Sequence, residues 1–158
     1  MELRPVTLPE SVPGSLWLGG MPCRFESWTD FEERARHAGL TQVVCLTPLS
    51  EVAEISARYD AALRKGDLPF RWINLPMRNF GTPEDREHFQ QGVRQIAASL
   101  QQGDAVLLHC AAGIGRTGST AACVLKALGF GKHEALERVR EAGSNPQNAQ
   151  QSGLVDWF

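Results

Sequence analysis

The chain lacks long apolar runs, paired cysteines, any block of like charge and nearly all lysine: three lysines stand against thirteen arginines. Each absence closes off a class of function. Apolar stretches such as 43–46 and 105–108 are about four residues long, against the roughly 18 that a membrane-spanning helix needs, so no membrane partner is expected. The opening Met1-Glu-Leu-Arg-Pro-Val has neither the basic stretch nor the apolar core of an export signal, which points to a soluble, cytoplasmic protein. Sixteen basic residues against eighteen acidic ones give a net charge of −2 with no basic stripe, which argues against nucleic acid as a partner. Cys23, Cys45, Cys110 and Cys123 include no C-x-x-C pair, so neither a zinc site nor a disulfide framework is indicated and no cofactor is required. The ordinary fate of such a thiol is to fill space as a small buried hydrophobe. The question is whether any of the four does more.

At 158 residues the chain has the length of one domain, 1–158, and can bury about 70% of its unfolded surface without a staple. Strand and helix signals alternate along it. Strands are predicted at 15–18, 42–46, 70–75 and 104–109. Thr29 and Glu32 form a capping-box pair around Phe31, Ala35 and Ala38, with Gly39 as the stop. Ser50 can cap one helix carrying Val52, Ile55, Tyr59 and Leu63 as far as Gly66. Thr82-Pro83 opens the clearest helix, whose stripe is Phe89, Val93, Ile96, Ala97 and Leu100. Further helices are predicted over 116–128, around Ala135 to Val139, and over 148–157. The run 105–108 is apolar without alternation, as a strand covered on both faces must be. This pattern predicts an α/β domain with a central, mostly parallel sheet flanked by helices, and a monomer is expected.

In such sheets ligands bind at the carboxyl ends of the strands. The strand at 105–108 runs into His109-Cys-Ala-Ala-Gly-Ile-Gly-Arg-Thr-Gly118, and a helix follows. Chance alone places about 0.3 cysteine–arginine pairs at this spacing in a chain of this composition, so the context must decide. Gly113 and Gly115 allow positive φ, which lets successive backbone N–H groups converge on one anion. The helix N-terminus adds its positive dipole end, and a thiol in such a field is stabilised as the thiolate. Arg116 supplies a two-pronged donor matched to phosphoryl oxygens. The loop suits a phosphate monoester above Cys110.

His109-Cys110-x5-Arg116-Thr117 resembles the signature of the cysteine-dependent protein tyrosine phosphatases, in their compact dual-specificity branch. Pro22-Cys-Arg-Phe25, Pro76 with Gly81-Thr-Pro83, and the tail from Gly143-Ser144 to Gln151 are similar to the group containing the cyclin-dependent-kinase-associated phosphatase. The resemblance implies a dual-specificity-phosphatase-like fold and a phosphocysteine intermediate. It further implies that Cys110 is the nucleophile and that Arg116 binds the phosphoryl group. Thr117 would hydrogen-bond the leaving thiolate, and His109 would order the loop. The amides of Ala111, Ala112, Gly113, Ile114, Gly115 and Arg116 would hold the oxygens. Gln151 corresponds to a glutamine that helps place the hydrolytic water.

The family also supplies an aspartate as general acid, in contexts such as Asp-x-Gly-x-Pro. Here the register reads Asn79-Phe80-Gly81-Thr82-Pro83, and an amide has no proton to give near neutral pH. Asp85 and Glu84 are the nearest substitutes, although both also suit the first turn of a helix. Three readings stay open: an active phosphatase using Asp85 or another acid, a low-turnover phosphate-binding module, and a trapped variant in which Asn79 is not native.

The side chains inside the loop carry no lysine, unlike relatives that act on multiply phosphorylated inositides, so the resemblance implies a singly phosphorylated group, either a phosphotyrosine or phosphoserine/threonine protein or a small phosphate monoester. A sulfurtransferase of the rhodanese kind also places a cysteine in a strand-to-helix loop, but has no need of Arg116 and Thr117. The low-molecular-weight phosphatases carry their Cys-x5-Arg near the N-terminus, unlike position 110 here. Cys23 sits in an early loop where a redox role is conceivable and a structural one is simpler. Cys123 falls mid-helix among apolar residues, and His37, His88 and His133 fall on helix surfaces.

Overall fold

The computed structural model describes residues 2–158. Among these, five strands form one sheet: β1 (Arg4–Val6), β2 (Ser15–Gly19), β3 (Gln42–Cys45), β4 (Arg71–Asn74) and β5 (Ala105–His109). Their spatial order is β1-β2-β5-β3-β4, with only the β1–β2 pair antiparallel. The apolar run 105–108 therefore becomes the middle strand. Seven helices cover the sheet: α1 (Trp28–His37), α2 (Leu49–Ile55), α3 (Ala57–Lys65), α4 (Arg86–Gln101), α5 (Gly115–Ala127), α6 (Lys132–Glu141) and α7 (Ala149–Trp157). This is the predicted α/β layering.

Alternation along the strands divides the core in two. Leu16, Leu18, Val44, Val106 and Leu108 pack with α4, α5, α6 and α7. Val43, Cys45, Ala105 and Leu107 pack on the other face with Phe31, Val52 and Tyr59 from α1, α2 and α3. α5 is buried along almost its whole length, which its small residues Gly118, Ser119, Ala121 and Ala122 permit. Because β2, β5, β3 and β4 are parallel, the segments leaving them gather at one edge. The register there brings Gly19 and Cys45 beside His109, and Asn74 beside Cys45.

One strand goes unread in the sequence, and three expectations need correction. β1 is unpredicted: three residues with a central proline carry no periodic signal, and Pro5 is tolerated because the strand lies at the sheet edge. The first helix is capped by Ser27, whose Oγ accepts from Asp30 N at 3.1 Å, so Thr29 lies inside it. The single helix expected after Ser50 is two, because Ser56 leaves helical geometry (φ −139°, ψ 85°) and donates its hydroxyl to Pro22 O at 2.8 Å. The long helix starts at Arg86 rather than Thr82, since Pro83 is bridged to Met77 and Asp85 serves as the N-cap.

Asp85 Oδ1 accepts from His88 N at 3.0 Å. Asp85→Ala is expected to lower unfolding stability by about 1 kcal/mol, read from the urea midpoint, whereas Asp85→Asn keeps a capping oxygen and stays near wild type.

Candidate active site

β5 delivers Cys110 into a tight loop that reverses the chain into α5. Gly113 makes the reversal possible: its φ is +77°, and a Cβ there would lie 2.5 Å from the carbonyl carbon and oxygen of Gly19. The loop is tied down from both sides. Met21 N donates to Ala111 O at 3.0 Å, and Gly113 O accepts from Ser144 Oγ at 2.6 Å and from an Arg4 Nη2 that reaches in from β1. The Arg4 Nη1 also holds Ala142 O and Ser144 Oγ.

The Cys110 Sγ accepts hydrogen bonds from Gly113 N at 3.2 Å and Thr117 Oγ1 at 3.0 Å. α5 begins directly afterwards, and no side chain caps it. Its first N–H groups and its dipole are thus left for an anion.

The guanidinium of Arg116 is buried (3% exposed) and pairs bidentately with Glu51 of α2, at 2.8 and 3.1 Å. The same two Nη atoms also donate to Met77 O at 3.0 Å and Asn79 Oδ1 at 3.4 Å. Four of its five N–H donors are thereby used, and Nε–H has no partner among the described residues. Through Met77 and Asn79, Arg116 holds the 77–83 segment over the loop. Phe80 in that segment adopts a left-handed φ of +59°, and its carbonyl accepts from Asn148 Nδ2 at 2.8 Å.

Beneath the loop lies a buried polar chain. Trp72 Nε1 donates to Tyr59 Oη at 2.8 Å, and Tyr59 Oη lies 2.8 Å from His109 Nε2. His109 Nδ1 faces Cys110 O at 3.2 Å. A carbonyl only accepts, so Nδ1 carries the proton and Nε2 receives the tyrosine hydroxyl. Burial, reinforced by the charge of Arg116 and partly opposed by the Cys110 carbonyl, pushes His109 from 6.5 down to about 4. It is a neutral structural hydrogen-bonding group.

The cleft above Cys110 holds about 470 Å³. Of the residues singled out in the sequence, Cys110, Ala111, Ala112, Gly115, Arg116, Asn79 and Gln151 line it. Gly113 spends its N–H on Cys110 Sγ, Ile114 turns its side chain outward, and Thr117 and His109 lie behind the wall. Gln151 is buried and accepts from Gln147 N at 2.8 Å. Asp85 is exposed, engaged at its cap and absent from the lining, and Glu84 pairs with Arg78 at 3.1 Å. Sequence reasoning missed Glu51, Glu54, Arg24, Ile55, Phe80 and Gln147 as lining residues. Glu51 reads simply as an acid in a first helical turn, and nothing in the sequence joins it to an arginine 65 positions away. A larger depression of about 740 Å³ beside Leu3, Trp17 and Ala38 has no cysteine, serine or threonine among its described lining residues.

The other three cysteines are buried and unpaired. Burial pushes the thiols of Cys23 and Cys123 up to about 12 and that of Cys45 upward too, as expected of inert core thiols. Among the described residues, no helix is long and apolar enough to cross a membrane, and no cluster of three His, Cys, Asp or Glu is placed to hold a metal.

A family model described as Swiss Army Knife protein, DSP-PTPase phosphatase domain, matches residues 12–153. The chain belongs to this phosphatase-domain family. The domain is similar to the kinase associated phosphatase crystallised with serine at its catalytic cysteine, with a TM-score of 0.81 at 17% identity over 98% of this chain and 92% of that one. Tk-PTP in its active form gives 0.70 at 23% identity over 95% and 97%. Dual specificity protein phosphatase 5 of Rattus norvegicus is 27% identical over 111 residues, 70% of this chain. The phosphatase domain spans only 24% and 28% of the lengths of the curated relatives it matches.

The depressed His109 makes a stability prediction for the phosphatase domain. Below 6.5 the unfolded chain binds a proton that the folded His109 refuses until about 4, so stability present above 6.5 is lost as pH falls through that window. The loss reaches about 2 kcal/mol by pH 5. Subtracting urea-unfolding curves of His109→Asn from wild type between pH 8 and 5 is expected to reveal this slope; a pH-independent difference would contradict it.

Proposed function

We propose that the chain is a phosphatase that hydrolyses phosphate monoesters, with phosphotyrosine first and phosphoserine or phosphothreonine as further substrates, through a phosphocysteine on Cys110. The observation that carries this reading is the Cys110 sulfur, which accepts from Gly113 N and Thr117 Oγ1 in a cleft whose wall includes Arg116. In the first step Sγ attacks phosphorus, the S–P bond forms, and the bond to the ester oxygen breaks. In the second, water attacks phosphorus, the S–P bond breaks, and inorganic phosphate leaves with the thiolate restored. The uncapped start of α5, with the amides of Ala111, Ala112, Ile114, Gly115 and Arg116, and the Arg116 Nε–H, unpartnered among the described residues, supply donors for the non-bridging oxygens, while Gly113 N stays on the sulfur. Thr117 Oγ1 stabilises the sulfur when it leaves. Gln151 directs the attacking water in this reading, which its place in the cleft wall supports.

The substrate is a phosphorylated protein or a small phosphate monoester. Ile55 and Phe80 give the cleft apolar surface for an aromatic ring, which supports phosphotyrosine. Asn79 favours a second reading, a phosphate-binding module with little turnover, because its amide cannot protonate a leaving group.

Aryl phosphate turnover is expected to fall to background in Cys110→Ser. Thr117→Ala is expected to slow the second step about 10- to 100-fold, the worth of one hydrogen bond to a charged group, so that acid quenching traps more phosphocysteine. Undetectable wild-type turnover alongside tight vanadate binding would instead establish the binding module.

A further inference from the structure

If the protein turns over esters whose alcohols are poor leaving groups, some group must protonate the departing oxygen, and the expected position holds Asn79. Among the described residues only two carboxylates line the Cys110 cleft, Glu51 and Glu54. Glu51 has both oxygens committed to Arg116 in a bidentate pair, so neither is free to meet a departing oxygen. Asp85 is occupied capping α4, and Glu84 is paired with Arg78 outside this cleft. Glu54 has no hydrogen bond or ion pair among the described residues and is exposed.

Its position suits the task. Glu54 lies three residues after Glu51 on α2, and residues at this spacing share a helix face. It also borders the adjoining depression together with Glu51 and Asn79. Asn79 and Phe80 from the segment where the resemblance implies an acid, and Glu54 from the second turn of α2, thus line one cleft with Cys110.

We infer that Glu54 is the general acid of this chain, standing in for the aspartate absent at position 79. The inference rests on the phosphatase reading above. As Sγ bonds to phosphorus and the ester P–O bond breaks, the Glu54 carboxyl passes its proton to the departing oxygen and becomes a carboxylate. In the second step that carboxylate takes a proton from the attacking water while the S–P bond breaks. The acid form and the thiolate are both regenerated, and the overall reaction consumes one water per phosphate released.

The test compares phenyl phosphate, whose leaving group is a weak acid, with p-nitrophenyl phosphate, whose leaving group departs with little help. Glu54→Gln is expected to lower kcat for phenyl phosphate about a hundredfold or more, the usual worth of general acid catalysis, and for p-nitrophenyl phosphate by less than tenfold. Vanadate affinity is expected to stay at the wild-type value, which shows that the loop is intact. Adding Asn79→Asp to Glu54→Gln is expected to restore most of the phenyl phosphate turnover. A wild-type ratio between the two substrates in Glu54→Gln, or an equal loss on both, would overturn the assignment while leaving Cys110 chemistry standing. Turnover at the wild-type level in Cys110→Ser would overturn the phosphocysteine reading, and this assignment with it.

Discussion

The ion pair between Arg116 and Glu51 joins three segments that meet only at the carboxyl edge of the sheet. Arg116 opens α5, Glu51 opens α2, and Met77 and Asn79 come from the connection after β4. A buried guanidinium left without its carboxylate would be destabilised by about 3–5 kcal/mol, so the pair holds only if all three segments are in place. Its geometry also orients the arginine. With both Nη atoms engaged, Nε–H is the one guanidinium donor left unpartnered among the described residues, and the proposed reaction gives it a phosphoryl oxygen. A side chain that would otherwise sample many rotamers is thereby fixed before substrate arrives, which is how positioning contributes to catalysis.

Two other buried polar arrangements serve the same loop. Gly113 O, which cannot join the sheet or α5, is satisfied by Ser144 and Arg4, so the edge strand β1 and the turn after α6 both act on the loop. His109 links Tyr59 and Trp72 to the Cys110 carbonyl, with the tautomer set by the carbonyl it faces. Each arrangement leaves its buried groups paired, as a low-dielectric interior demands. The loop's shape therefore depends on residues spread from position 4 to position 144.

That spread explains which parts were legible in sequence. The strand, loop and helix around Cys110 are contiguous, and their apolar run, glycines and helix pattern lie within about 25 residues. Tyr59 was rightly placed on a buried face, but its hydroxyl's role depends on His109, 50 positions away. Glu51 and Arg4 were invisible as site residues because their partners are set by the sheet order and not by spacing. Capping signals were ambiguous for a physical reason: Ser27 and Thr29, or Thr82 and Asp85, both supply oxygens near a helix start. Tertiary bonds to Pro22, Met77 and Pro83 decided where the helices break and begin.

In the reaction proposed for this site, Arg116, held by Glu51, works with the Cys110 sulfur on one phosphoryl group. A crystal structure of the vanadate complex tests it most directly. The expected result is a covalent Cys110 Sγ–vanadium bond, with Arg116 Nε donating to an equatorial oxygen while its Nη atoms stay on Glu51. Vanadate bound away from Cys110, or an Arg116 that leaves Glu51 altogether to reach it, would contradict the account.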